Sequence, residues 1–337
     1  MMTPALTAAP PQITDDAAAQ IVATAYGLKG ALHRLTSERD LNLRLTCPDR
    51  IYVVKFANPA EPRRVTDMQT AALLHLENKG LPVPKVIRSL SGATEMETAA
   101  GLLRVLSYLD GVPMHLGAFS FARAKAMGIM AARLSAGLAD FSHPGADHIL
   151  QWDIRQAAAL RPLLPDVPDD LRAACTVVLN RFEAQIAPQL ADLPWQVVHN
   201  DLNPHNVLVA ADAPDKIAGV LDFGDMVRTP RVCDLAVAAS YQIGPDDALT
   251  SLASFAAAFH ATLPLTRAEV GLVADLTATR MATTIAIASW RARQYPENAG
   301  YILRNLPSAR AGLHALAALP RRETHETLLR ACAMEPL

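Results

Sequence analysis

The stretch VVHNDLNPHNVLV, residues 197–209, is apolar at both ends and crowded with polar side chains between them. Val197-Val198 and Val207-Leu208-Val209 read as buried strand ends, and Pro204 rules out a regular element in the interior. His199, Asn200, Asp201, Asn203, His205 and Asn206 are thus expected on a short loop gripped by two strands, a setting that suits reactive groups. Sixteen residues after Asn206, the apolar run GVL leads into Asp222-Phe223-Gly224-Asp225. Phosphoryl transfer asks little covalent chemistry of a protein. It needs a carboxylate to receive the nucleophile's proton and hard oxygen ligands for Mg²⁺ bridging the phosphates. Asp201 is the expected base, and Asn206 and Asp222 are the expected metal ligands.

Together these residues fit HxDxxxxN followed by DFG, the pattern of protein-kinase catalytic loops. An HxD triplet alone is a chance-level signal; the full set is specific. Upstream, YVVKFA puts Lys55 on a strand, where that pattern sets the lysine that meets the α- and β-phosphates. A lone strand lysine would read as solvated, but its flanks Val54 and Phe56 and the downstream motif favour the phosphate role. No glycine-rich phosphate loop is present. The turn TSERDLN (36–42) contains no glycine, so Ser37 and Asn42 with backbone amides are the expected phosphate cover. After DFG, DMVRTPRVCDLA is too short for an activation loop and no APE segment follows. Both features argue against an ordinary protein kinase.

The elements that must hold these groups read as two regions. Thr14 or Asp15 caps a helix through DAAAQIVATAYGL that ends near Gly27 or Gly30. LNLRLT (41–46) and IYVVKFAN (51–58) alternate as strands joined by CPDR, and LPVPKVI and GLLRVLSYLDG extend the sheet. Between them, VTDMQTAALLHLENKG carries a helical stripe of Met68, Ala71, Ala72 and Leu76 and stops at Gly80. From about Ala118 the chain turns to Ala- and Leu-rich helices, expected over 121–140, 154–162, 169–190, 246–262, 267–292 and 307–319. The fold class is α+β: residues 1–111 as a small antiparallel β lobe with a leading helix, and 112–337 as a larger helical lobe carrying the catalytic loop and acceptor site.

SERDLN, VVKFANP, DMQTAALLHLENKGLPVPKVI, VVHNDLNPHNVLV and GVLDFGDMVRTPRVCDLAVA resemble the aminoglycoside phosphotransferase and choline kinase superfamily, small-molecule kinases of two-lobed protein-kinase-like fold. Within it they look most like the hydroxylysine kinase group and the kinase domains fused to class III aminotransferases. The resemblance runs from about Ser37 to Ala238, and more weakly through RMATTIAIASWRARQYPENAGYIL. It implies that Asp201 is the catalytic base, Lys55 the phosphate lysine, and LSYL (106–109), with Ser107 and Leu109, the hinge that meets the purine of ATP or GTP. It also implies that Asp234 anchors the catalytic loop. Two positions depart from the pattern. Gln69 stands where many relatives place a helix glutamate to pair with the lysine, and Asn200 replaces the glycine common in the aminoglycoside enzymes.

Asp225 is left without a kinase role and is expected to meet a substrate ammonium; His205 is expected to line the acceptor site or brace the loop. His199 reads as a loop buttress, Trp152 and Trp290 as packing, and Arg280 as a salt-bridge partner. The expected acceptor is a hydroxyl of an amino alcohol or hydroxy amino acid, hydroxylysine first, then homoserine, choline or ethanolamine, and aminoglycosides. A nucleotide-binding pseudokinase or a partner module of an aminotransferase is the reading from another class. The 337 residues carry a net charge of −2 with no basic block, which excludes a nucleic-acid footprint. The N-terminus shows no secretion signal and no uncharged stretch of spanning length is evident, so no membrane role and a cytoplasmic setting are expected. Cys47, Cys175, Cys233 and Cys332 have no metal spacing and read as reduced thiols. A homodimer is compatible with the resemblance, which does not fix the oligomeric state.

Overall fold

A computed structural model describes residues 8–37, 39–244 and 247–335. Glu38 of the expected phosphate cover and Asp246 of the expected 246–262 helix lie outside the described residues. The chain divides into two units. One holds the chain up to Asp110 together with His143–His148 and Gly219–Gly224; the other holds Gly111–Ser142, Ile149–Ala218 and everything from Asp225 on.

In the first unit, helix α1 (Asp15–Tyr26) starts where the Thr14 side chain accepts a bond from Ala17 N. It stops at Gly27, whose φ of +69° costs a glycine nothing. Strands β1 (Ala31–Leu35), β2 (Leu41–Thr46) and β3 (Ile51–Phe56) are followed by helix α2 (Arg63–Leu76) and strands β4 (Val86–Ile87), β5 (Met96–Thr98) and β6 (Gly101–Ser107). They form one antiparallel sheet in the order β1-β2-β3-β6-β4, with β5 also on β6. The two-residue period sends Leu41, Leu43, Leu45, Val54, Phe56, Leu103 and Val105 to one face, where they pack with Ala18, Val22 and Tyr26 of α1. Truncating a fully buried member such as Leu43 to alanine costs about 2–5 kcal/mol. The same period puts Asn42, Lys55 and Arg104 side by side on the opposite face, since Asn42 pairs with Lys55 and Lys55 with Arg104. Of the α2 stripe, Met68, Ala72 and Leu76 are buried and Ala71 is half-buried. LPVPKVI gives only the two residues of β4, because Pro82 and Pro84 have no N–H to donate to a ladder. Strands β1 and β5 were not expected from the sequence.

The second unit contains strand β7 (Val112–Pro113), helices α3 (Phe121–Leu138) and α4 (Asp169–Arg181), and strands β8 (Trp195–Val198), β9 (Val207–Ala210), β10 (Ala213–Val220, whose last two residues belong to the first unit) and β11 (Val227–Pro230). Helices α5 (Arg231–Ala239), α6 (Ala248–Thr262), α7 (Arg267–Gln294), α8 (Ala299–Ile302), α9 (Leu306–Ala317) and α10 (Arg321–Ala331) complete it. Strands β10-β9-β7 make one small sheet and β11-β8 another. The segment expected as a helix over 154–162 is a 3₁₀ helix, Ile154–Asp166, because Pro162 and Pro165 break the α-helical ladder. The expected 169–190 helix leaves the α form at Arg181, passes through one π-helical turn, and continues as 3₁₀ helix around Pro188. Helix α10 was not anticipated. Helix α7 is the one helix among the described residues long and apolar enough to cross a membrane; 78% of that stretch is buried inside the protein, so it serves as a core helix. Its start is fixed by a reciprocal pair, Thr266 Oγ1 to Glu269 N–H and Glu269 to Thr266 N–H. The four cysteines are free and buried. The fold is α+β, a small antiparallel β unit and a larger, mostly helical one.

Candidate active site

In the first unit, Lys55 on β3 is held by two carboxylates. Its Nζ lies 2.7 Å from Asp40 Oδ2 and 3.7 Å from Asp222 Oδ1. Asp40 sits in the glycine-free turn between β1 and β2, which is tied down by side chains: Asn58 N donates to Asp40 Oδ1, and Asn58 Nδ2 donates to Arg39 O. Burial works to raise the Asp40 carboxyl, but the charge and hydrogen bond of Lys55, with Arg39 and the Asn58 amide, outweigh it and hold it at about 2. Burial likewise opposes the Lys55 charge, and Asp40 and Asp222 outweigh it and raise its pKa. Of the expected phosphate cover, Ser37 lies half-buried in the turn, and Asn42 Oδ1 is buried with no partner among the described residues.

Asp222 carries φ +55°, a left-handed backbone that a non-glycine residue adopts at a cost of about 1–3 kcal/mol. Its Oδ1 accepts from Gly224 N, closing a tight turn, and its side chain is 47% exposed. Gln69 does not take the lysine-pairing place expected of it. Its Oε1 accepts from Arg104 Nη2 at 2.9 Å, and its Nε2 donates to Gly224 O at 3.3 Å. The carboxylate for Lys55 comes instead from Asp40 and Asp222. At the expected hinge, Ser107 spends its N–H and hydroxyl on Lys85 and Tyr108 N–H donates to Ile51 O, while the Leu109 N–H has no partner among the described residues.

In the second unit, the loop from His199 to Asn206 is braced from within. His199 is fully buried and its Nδ1 accepts from Asp201 N; Asn200 takes φ +64°, and its N–H donates to Asp234 Oδ1 at 2.7 Å. Burial pushes the Asp234 carboxyl up to about 7, against that hydrogen bond and the Arg280 charge. The Asp201 carboxylate is clamped at both oxygens. Asn203 Nδ2 donates to Oδ1 at 2.9 Å, and Asn206 Nδ2 donates to Oδ2 at 2.7 Å and to the Asp201 carbonyl at 3.0 Å. With its nitrogen committed to Asp201, the Asn206 amide turns Oδ1 away from it. That oxygen in the second unit, and the Asp222 carboxylate in the first, are each hard donors of the kind Mg²⁺ prefers, so each residue's chemistry fits the metal.

His205 stacks on His115 with ring centroids 4.0 Å apart, and its N–H donates to Asn203 Oδ1. Burial, then His115 and Arg304, push it down to about 4 against the hydrogen bond its ring donates to the Asn305 side chain, so it is neutral near pH 7. Arg280 of α7, read from sequence as a salt-bridge residue, is fully buried beside the loop. Its Nη2 lies 3.5 Å from Asp201 Oδ1, its Nη1 donates to Trp152 O at 2.6 Å, and its guanidinium lies over the Trp152 ring. Asp225, expected at the acceptor, is 6% exposed, and its charge faces Arg280. Sequence reasoning missed Asp40 and Arg104 as parts of these centres, while Arg280 is the salt-bridge residue it was read as, with Asp201 as its partner. The strand register opposite Lys55 could have found Arg104; nothing local in the sequence joins Arg280 to Asp201, which lie 79 residues apart.

These features define a phosphotransferase, and the chain belongs to the phosphotransferase enzyme family, whose model matches residues 32–272. It is a kinase acting on a small molecule. Hydroxylysine kinase of Mus musculus is 26% identical over 326 residues, covering 88% of this chain and 87% of that protein. A microcompartment-associated aminopropanol kinase superposes with a TM-score of 0.67 at 16% identity, over 90% of this chain and 97% of its own. An amicoumacin kinase solved with AMP-PNP and Ca²⁺ superposes with a TM-score of 0.65 at 14% identity, over 92% and 95%.

The Asp40–Lys55 pair makes the first unit's stability depend on acid. The folded Asp40 carboxyl titrates at about 2 against 3.8 ordinarily, so its contribution is present above pH 4 and lost as pH falls toward 2. Asp40→Asn is therefore expected to lower unfolding free energy by about 2–3 kcal/mol at pH 7, with the difference from wild type closing as pH falls toward 2. Urea melts at pH 7, 4 and 2.5 check this, and a pH-independent difference refutes it.

Proposed function

We propose that this kinase transfers the γ-phosphoryl group of ATP or GTP, with Mg²⁺, to the hydroxyl of a small amine-bearing acceptor, hydroxylysine or a similar amino alcohol. The observation that carries the reading is the Asp201–Asn206 clamp. One loop offers a carboxylate fixed at both oxygens and an amide whose nitrogen faces that carboxylate, leaving its oxygen uncommitted to it. Asp201 orients the acceptor hydroxyl and takes its proton. Lys55, held charged by Asp40 and Asp222, meets the α- and β-phosphates, and the Leu109 N–H offers the purine a backbone donor. Asn206 and Asp222 hold the metal, which when bound neutralises charge on the transferring phosphoryl group. The first unit is the nucleotide-binding lobe and the second the acceptor lobe.

The amine preference rests on charge. Asp201 and Asp225 both act on Arg280, so one guanidinium can offset only part of the acid around the catalytic loop. An ammonium suits that surplus, and positioning by it fixes the hydroxyl toward Asp201. The hydroxylysine and aminopropanol kinases that this chain resembles are named for acceptors of the same chemistry. A transfer assay with ATP and with GTP against hydroxylysine, homoserine, aminopropanol, choline, an aminoglycoside and neutral polyols of matched size tests the reading. Amino alcohols are expected to exceed polyols in kcat/KM by about tenfold or more, the worth of one charge-assisted hydrogen bond. Equal activity on the polyols overturns the amine assignment.

A further inference from the structure

Arg104 is an unexpected charge in the first unit. It lies directly across from Lys55 on the neighbouring strand, so two cations share one face of the sheet. It is buried, and its guanidinium donates to Gln69 Oε1 at 2.9 Å, Thr70 Oγ1 at 3.0 Å and Thr66 O at 3.4 Å, all on α2. A guanidinium only donates. It therefore dictates which end of the Gln69 amide faces it, and the NH₂ end is left to donate to Gly224 O, as observed. Gly224 N–H in turn donates to Asp222 Oδ1. The Asp222 turn is thus held from outside at its carbonyl and from inside at its N–H. A Cβ on Gly224 would stand 2.9 Å from Asp222 Oδ1, so this close turn calls for glycine.

We propose that Arg104 and Gln69 are positioning residues for the Asp222 turn: the arginine orients the Gln69 amide, and the amide fixes the backbone that aims the Asp222 carboxylate. This rests on the reading of Asp222 as a metal ligand. It accounts for the missing helix glutamate. The helix residue here answers to Arg104 and Gly224, while Asp40 and Asp222 supply the negative charge for Lys55. A carboxylate at position 69 could satisfy Arg104 but would turn an acceptor toward the Gly224 carbonyl. Glutamate at this position is therefore expected to harm the site.

The test uses the full chain and ADP binding by calorimetry, with and without Mg²⁺, for wild type, Gln69→Glu, Gln69→Met and Asp222→Asn. Gln69→Glu keeps the bond to Arg104 and loses only the one to Gly224; Gln69→Met loses both. Each is expected to weaken Mg²⁺-dependent ADP affinity by about tenfold, the worth of one hydrogen bond, and to leave metal-free ADP affinity unchanged. Wild-type Mg²⁺-ADP affinity in Gln69→Glu overturns the proposal, as does an equal loss with and without Mg²⁺, which marks a merely structural role. If the buried acid prevents folding, Gln69→Met gives the same two readouts. Asp222→Asn separates the two ideas. If it loses the Mg²⁺ response while the Gln69 variants keep it, only the positioning role fails; if it keeps the response, the metal-ligand reading fails and takes the positioning role with it.

Discussion

Asp201→Asn is expected to lower turnover about a hundred- to ten-thousandfold, the usual contribution of a positioned general base, while metal-free nucleotide affinity stays near wild type. The substitution keeps the side chain's size but removes its charge and one acceptor. Both carboxylate oxygens accept bonds, Oδ1 from Asn203 and Oδ2 from Asn206. Whichever way an asparagine turns, its NH₂ meets a donor. Turning Asn203 to relieve this sacrifices the bond from His205 N–H to Asn203 Oδ1 that braces the loop. Lys55, Asp40 and Asp222 belong to the other unit and keep their contacts, so metal-free nucleotide affinity has no reason to change. Single-turnover transfer with saturating nucleotide, alongside metal-free nucleotide affinity by calorimetry, checks both halves. Unchanged turnover would remove Asp201 from the reaction.

Much of this arrangement was legible because local signals and chemistry coincide. The alternation in LNLRLT and IYVVKFAN gives β2 and the body of β3 and places Lys55 on a defined face. The loop from His199 to Asn206 is gripped by β8 and β9, as its apolar flanks imply. What escaped the sequence is pairing at a distance. Gln69 invited comparison with a glutamate that binds lysine, yet its partner is set by Arg104, which strand register places opposite Lys55. Asp40 lay in a turn read for Ser37 and Asn42 as phosphate cover, and its carboxylate is the nearer partner of Lys55. Arg280 reads as a salt-bridge residue with no partner named; only the packing of α7 sets it against Trp152 and Asp201. The stretches Ile154–Asp166 and Ala187–Asp192 took 3₁₀ form because prolines there remove N–H donors that an α-helix needs.

Asp222 carries the other large effect. Its replacement by alanine is expected to cut transfer by about a thousandfold or more, since a Lewis acid on the phosphates supplies several kcal/mol of charge stabilisation, and to weaken Mg²⁺-dependent nucleotide binding. Three losses combine. The metal loses an anionic oxygen, Lys55 keeps Asp40 as its remaining carboxylate, and Gly224 N–H loses its acceptor. Alanine also tolerates φ +55° less well than aspartate or asparagine, so the alanine variant mixes backbone strain with lost ligation. Asparagine separates them. It accepts the left-handed backbone and can still receive the Gly224 N–H, but it offers the cation a neutral oxygen. Asp222→Asn is therefore expected to keep the wild-type melting temperature within about 2 °C, as a surface change of under about 0.5 kcal/mol would, while losing most of the Mg²⁺ response. Mg²⁺ titrations of nucleotide binding and of rate, run on both variants with thermal melts, decide it: a rate and a metal response that both survive make Asp222 a turn-forming carboxylate and nothing more.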